Sequence, residues 1–394
     1  MRTIISGVGI AGPMLAYWLQ KSGHDVLLVE QAPELRQGGY IIDFWGLGYD
    51  LAEKMGILPR IKELGYQVSE VRFVGRTGRK VGGFDVDVFN RVTDGRFTSL
   101  RRSDVSAAIY EAMGDRVETI FGDSISGIHE EGNRAHVTFD HAGPREADLV
   151  IGADGMRSRV RRLVFGRDSE FEVPLGYYVA AFELDGYQPR DELVYVTYGV
   201  PGRQVSRFAM RGGTTLILLV FRDEYMTAGA PTSEAERKAL VRSVFGDLDW
   251  ETPQILAAME RVSEVYFDRV AQIWMDRWSK GRTALVGDAG ACVSLLAGEG
   301  TGLAMVEAYV LAGELRECGG DYAAAFARYE ARLRPLLKRK QVSASKFASS
   351  YAPRTALGIT VRNLVTRMMS LPVMAEYFIG RSLRDDVVLP DYRF

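Results

Sequence analysis

Short apolar runs alternate with segments of helical period along this chain, and the alternation is clearest at its start. Residues 3–6 form a buried-strand run, Ala11, Leu15, Trp18 and Leu19 recur at helical spacing until Gly23, and residues 26–29 supply the next strand. Two later apolar runs, 149–154 and 283–288, each end in an acid and read as buried parallel strands. Between them, residues 192–198, 207–211 and 214–221 predict consecutive antiparallel strands with Gly212-Gly213 as a turn. Ser233 and Glu236 have capping-box spacing and open a helix with Leu240, Val244 and Phe245 on one side, expected to cover that sheet. Leu303, Val306, Val310, Leu311 and Leu315 predict a long helix over 302–317, with further helices to the end.

The first strand–helix–strand unit carries candidate chemistry. Gly7-Val8-Gly9-Ile10-Ala11-Gly12 is a GxGxxG directly after a strand and at the opening of a helix. In such a unit Gly7 makes the tight turn, Gly9 lets the backbone approach a pyrophosphate, and Gly12 allows close helix–strand packing. The helix N-terminus then faces the phosphates. Glu30 closes the second strand 18 positions after Gly12, where a carboxylate accepts from ribose hydroxyls. The spacing predicts an adenine dinucleotide and does not separate NAD from FAD.

Composition narrows the field. The 394 residues are 47% hydrophobic and 25% charged, an ordinary globular balance long enough for two packed domains. With 49 Lys and Arg against 51 Asp and Glu, no global field gathers nucleic acid or acidic membranes. Cys292 and Cys318 make neither a disulfide framework nor a metal-ligand pair, which points to a reducing cytoplasm. The apolar stretch 355–380 is interrupted by Arg362, Asn363, Arg367 and Glu376, so no spanning helix of about 20 apolar residues is expected. His129, His136 and His141 lie on a polar hairpin-like stretch without matched ligands, and no metal is expected. Phosphate-loop, GxSxG and HExxH motifs are absent, which leaves hydrolase and kinase readings without residues.

Asp154-Gly155 with Ser158 and Arg161 resembles the DG motif of single-component aromatic-ring flavin hydroxylases, and the run Gly281 to Ala289 resembles their GD motif. Within that family, Cys292, Ser294, Leu296, Gly298 and Gly300, with the run Ala308 to Leu315, are similar to the branch containing tetracycline-inactivating monooxygenases. The resemblance covers roughly residues 1 to 335 and implies FAD, with NAD(P)H docking transiently as reductant. It also implies site residues: Arg36 and Asp43 beside the first flavin loop, Arg102 as a FAD contact, Asp154 in the DG motif, and Gly287 and Asp288 at the ribityl-pyrophosphate region. Gly300, Thr301 and Gly302 then head a helix whose positive end faces the flavin. The implied reaction begins with reduction of FAD by NAD(P)H, after which O2 adds to the flavin and one oxygen atom passes to a small aromatic or polyketide-like substrate. No catalytic side chain is assigned. Tyr195, Phe208 and Phe221, with Tyr198, are candidates to line the pocket of a planar substrate, although aromatics on a sheet are more often core.

The expected fold is α/β: a Rossmann-like FAD-binding domain from 1–75, 95–168 and 272–335, a mixed-sheet substrate domain from 76–94 and 169–271, and a C-terminal helical segment 336–394, in a monomer or homodimer. The chain departs from the family where proline commonly stands at Val293 and Leu295, an aromatic or histidine at Ala291, glutamine at Glu299, and asparagine near Thr301 or Gly302. These departures bear on oxygen chemistry more than on FAD binding. Two alternatives therefore stay open, a flavin-dependent dehydrogenase or reductase on the same scaffold and a non-catalytic carrier of the related escort-protein type. Glu299 either turns outward to water or an arginine or faces the flavin and opposes its reduction; the outward arrangement is expected, because an unpaired buried charge costs several kcal/mol.

Overall fold

The computed structural model describes residues 1–36, 40–227, 229–369 and 387–394. A six-stranded sheet runs in the order Ser279–Lys280, Thr283–Leu285, Leu149–Gly152, Arg2–Ser6, Asp25–Glu30, Glu118–Phe121. Its central pairings are parallel, with Ile4 opposite Val150 on one side and Leu27 on the other. Strands covered on both faces have no polar side to show, which is why Ile4, Ile5, Leu149, Val150 and Ile151 are all fully buried. The helices Ala11–Lys21 and Gly300–Glu317 pack against each other on this sheet. The strands Ile41–Trp45 and Phe97–Arg101 pair antiparallel nearby, with Asp43 opposite Ser99.

A seven-stranded sheet has the order Tyr266–Ile273, Glu172–Asp185, Thr214–Arg222, Arg203–Ala209, Val194–Val200, Glu70–Val74, Lys80–Asp85. The predicted antiparallel run is present as Val194–Val200, Arg203–Ala209 and Thr214–Arg222. Glu70–Val74 lies in the stretch expected for the first unit, yet it pairs parallel with Val194–Val200 in this second sheet. Ser233 and Glu236 form the capping box, each side chain bonding the other's backbone amide, and start the helix Glu234–Phe245. That helix and Thr252–Met259 cover one face through Val241, Phe245, Ile255 and Met259.

The opposite face receives the helix Ala356–Met368. Arg362 lies 4.2 Å over the Phe73 ring, and the Gly83 amide donates to Thr366 Oγ1 at 3.2 Å. A Cβ on Gly82 would stand 3.0 Å from the Asn363 backbone, so glycine is what lets this helix approach. The stretch 355–380 is otherwise described only to residue 369, and its remainder lies outside the described residues. Among the described residues no helix is long and apolar enough to cross a membrane.

Residues 387–394 return to the first sheet's helices. The Tyr309 hydroxyl donates to Pro390 O at 2.9 Å and the Tyr392 hydroxyl to Glu314 Oε1 at 2.6 Å. Phe394 packs on Trp18 at 4.5 Å between centroids, and Lys54 pairs with Asp391.

Candidate functional site

Three sequence motifs meet at the carboxyl ends of the parallel strands, where ligands of open α/β sheets bind. Gly7 has φ +105°, and a Cβ there would lie 2.5 Å from Ala153 O, so the first glycine turn and the DG motif touch. A Cβ on Gly12 would lie 1.9 Å from Gly7 O, which requires glycine for the helix to sit on its own turn. A Cβ on Gly287 would lie 3.2 Å from Ala11 Cβ, which brings the GD motif to the same helix. Neither Ile10 nor Glu299, the N-cap residues of the 11–21 and 300–317 helices, caps the first amides with its side chain. The leading amides of both, including those of Gly300, Thr301 and Gly302, are thus left for anionic oxygens.

The charged residues are held by identifiable partners. Glu30 accepts from the Val8 amide at 2.8 Å and the Ala32 amide at 2.9 Å, which fixes its carboxylate under the glycine turn. Arg36 is largely exposed and 3.6 Å from Glu30. Arg102 Nη2 lies 3.7 Å from where a Cβ on Gly9 would stand. Asp154 accepts from Ser158 Oγ at 2.5 Å and from the Arg159 amide at 2.7 Å, so the DG aspartate caps the helix Arg159–Val164. Arg161 is fully buried and joins the two motifs, donating to Ala289 O at 2.8 Å and Met156 O at 2.6 Å and pairing with Asp168. Half-exposed Asp288 lies beside Gly300, its Oδ1 3.8 Å from a Cβ built there. Tyr40, which the sequence did not single out, sits in the field of both Arg102 and Asp288; burial raises its hydroxyl, Arg102 opposes the rise and Asp288 adds to it.

At the N-terminus of the 300–317 helix is a small pocket open to solvent, lined by Asp43, Trp45, Gly48, Glu299, Gly302 and Lys340 among others. Burial raises the Asp43 carboxyl, opposed by the Ser99 hydroxyl at 2.5 Å. A Cβ on Gly48 would lie 2.7 Å from Gly302 Cα, so two backbones close this end. Glu299 meets a lysine of another helix. Its Oε2 is 3.1 Å from Lys340 Nζ, with the two side chains only 18% and 13% exposed.

A family profile described as a FAD binding domain matches residues 1–338. The chain belongs to this family of FAD-dependent monooxygenases of the aromatic-hydroxylase type. Its cofactor is FAD. The monooxygenase is 39% identical over 347 residues to an uncharacterised protein of Mycobacterium tuberculosis, covering 86% of this chain and 92% of that one. It is 31% identical over 402 residues to a flavin-dependent monooxygenase of Legionella longbeachae, covering 100% of this chain and 98% of that one. Among solved structures it is similar to the tetracycline destructase Tet(51), with a TM-score of 0.83 and 30% identity across 99% of each chain.

The residues present fit FAD, because the glycines that a Cβ would obstruct and the uncapped helix amides form a cradle for an extended anionic ligand. The aromatic candidates divide. Tyr195 stacks on Phe208 at 4.3 Å on the face away from the 234–245 helix. Phe221 and Tyr198 lie on the opposite face, Phe221 fully buried against Phe245. A strand alternates its faces, so Phe221 at an odd offset from Leu216, the partner of Phe208, is core beneath the helices and not a wall shared with Tyr195.

Proposed function

We propose that this flavin-dependent monooxygenase takes electrons from NAD(P)H and uses O2 to oxygenate a small organic substrate of aromatic or polyketide type. The observation that carries the reading is the meeting of the three motifs at the carboxyl ends of the parallel strands. The likeness to a tetracycline destructase over nearly the whole of both chains supports the polyketide class.

In this reading Gly7, Gly9, Ala11 and Gly12 hold the pyrophosphate, Glu30 the ribose, and Arg102, Asp154, Gly287 and Asp288 the stretch toward the flavin. Asp43, Gly300, Thr301 and Gly302 border the ring, and Arg36 meets the reductant. FAD supplies the redox and oxygen chemistry, and the chain supplies position, a water-poor pocket and helix amides that favour negative charge. The division into a discontinuous FAD unit, a substrate sheet and C-terminal helices is part of the same proposal.

The test is FAD-loaded protein assayed for NADH and NADPH oxidation with a panel of aromatic polyketides, tetracyclines included, under labelled O2. Substrate-stimulated oxidation with one labelled atom in the product is the expected result. Nicotinamide oxidation with no label in any product would instead favour the dehydrogenase or reductase reading.

A further inference from the structure

The helix Ala356–Met368 turns Arg362, Asn363 and Thr366 toward the sheet and leaves the opposite side in solvent. Leu357, Val361, Leu364 and Met368 follow one another at intervals of four, three and four residues, which puts all four on one narrow stripe of the helix. They are 73, 51, 57 and 38% exposed. At 1.5 Å per residue the stripe is about 16 Å long. Single exposed leucines are ordinary on a protein surface, whereas a continuous row of large apolar side chains marks a surface made for contact.

The charge along this part of the chain is one-sided. Between Glu330 and Glu376 the sequence has nine lysines and arginines and no carboxylate side chain, although the whole chain carries a net charge of −2. Some of these cations are used inside the fold, Arg332 against Glu314, Arg334 against Glu330 and Lys340 against Glu299. Lys346, Arg354 and Arg367 are exposed and form no ion pair among the described residues. Arg354 stands just ahead of the stripe and Arg367 at its far end. The supporting strand Lys80–Asp85 adds one cation and one carboxylate, which leaves the excess unchanged.

We propose that this face of the 356–368 helix docks on an anionic lipid surface and lies in the headgroup layer without crossing it. Leu357, Val361, Leu364 and Met368 enter the boundary with the acyl chains. Arg354 and Arg367, at the two ends of the row, meet headgroup phosphates, and Lys346 adds to the local field. A second copy of the chain fits this face less well, because a two-fold contact through the same row would bring two sets of cations together. Nucleic acid would use the cations and leave the apolar row in water. The docking is independent of the reaction given under Proposed function.

The test is co-sedimentation of the full chain, loaded with FAD, with vesicles of phosphatidylcholine alone and of phosphatidylcholine mixed equally with phosphatidylglycerol, in low and high salt. Sedimentation equilibrium without lipid is run on the same proteins. Wild type should bind the mixed vesicles about tenfold or more tightly than the neutral ones, and high salt should weaken that binding. Arg354→Gln and Arg367→Gln should each weaken it by about fivefold, the worth of one cation near such a surface. Leu357→Ser combined with Leu364→Ser should weaken it by more than about tenfold. All four residues are exposed, so FAD content and urea midpoint should stay at wild-type values, which separates lost docking from a lost fold. Equal binding to both vesicles, binding to neither, or leucine variants that bind like wild type would overturn the proposal. A dimer that Leu364→Ser dissociates, with no binding to vesicles, would overturn it in favour of a contact between copies. Where a variant folds poorly, the comparison of the two vesicles with wild type still decides.

Discussion

Beneath the Gly287 turn, Glu307 is 2% exposed and accepts from the Gly287 amide at 2.8 Å and the Tyr329 hydroxyl at 3.1 Å. Burial pushes its carboxyl up to about 8, the two donors pull it back, and Asp288 adds to the rise. An acid raised on folding is protonated in the native protein and loses its proton first in the unfolded chain. Its contribution to stability is complete below about pH 4.5 and is lost as pH climbs toward about 8. Glu307→Gln removes this dependence. In urea titrations at saturating FAD, the stability of wild type relative to the variant should fall between about pH 5 and pH 8; a wild type that gains stability relative to the variant as pH rises would contradict the assignment. The two arginines near the glycine turn offer a second contrast. Arg102 lies against Gly9 while Arg36 is mostly in solvent, so Arg102→Ala should weaken FAD binding by roughly tenfold, and Arg36→Ala by much less. Equal dissociation constants for wild type and Arg102→Ala would count against a direct flavin contact.

Elements are placed by contacts of different range, and that range decides what the sequence discloses. The helix 356–368 lies on the sheet because Gly82 has no side chain to hold it off. Gly82→Ala should cost about 1–3 kcal/mol through overpacking, read as a lower urea midpoint together with faster proteolysis of 356–368; an unchanged midpoint would mean that the helix yields without cost. The parallel strands 149–152 and 283–285, the glycine turn and the Ser233 capping box were legible because each is written within a few consecutive residues. The face of the sheet that Phe221 takes was not legible, for a physical reason. Its strand, Thr214–Arg222, is buried on nearly every residue, so no polar alternation marks which face meets the cleft. The partner of Glu299 was hidden differently. Lys340 is one of several basic residues on a long helix, and only the docking of that helix through Gln341 on Ile273 and Cys292 brings it to the loop.

Across the whole molecule, the C-terminal residues 387–394 act as a strap over the helices of the parallel sheet. The Tyr392 ring occupies the space where a Cβ on Gly313 would stand, its hydroxyl reaches the buried Glu314, and Arg328 and Arg332 complete that carboxylate's shell. Tyr392→Ala should cost about 3 kcal/mol, in the range of aromatic truncations in cores. Tyr392→Phe, which keeps the ring and leaves Glu314 its arginines, should cost nearer 1 kcal/mol. Chemical denaturation of the three proteins checks both values, and equal losses would assign the effect to the hydroxyl alone. The strap also has a consequence for the order of events in biosynthesis. Trp18 and Tyr309 are surrounded by Phe394 and Tyr392, so the helix Ala11–Lys21 is sealed by residues made long after it. A nascent chain must carry that aromatic surface uncovered until residues 387–394 leave the exit tunnel, whereas a chain diluted from denaturant has every part at hand from the start.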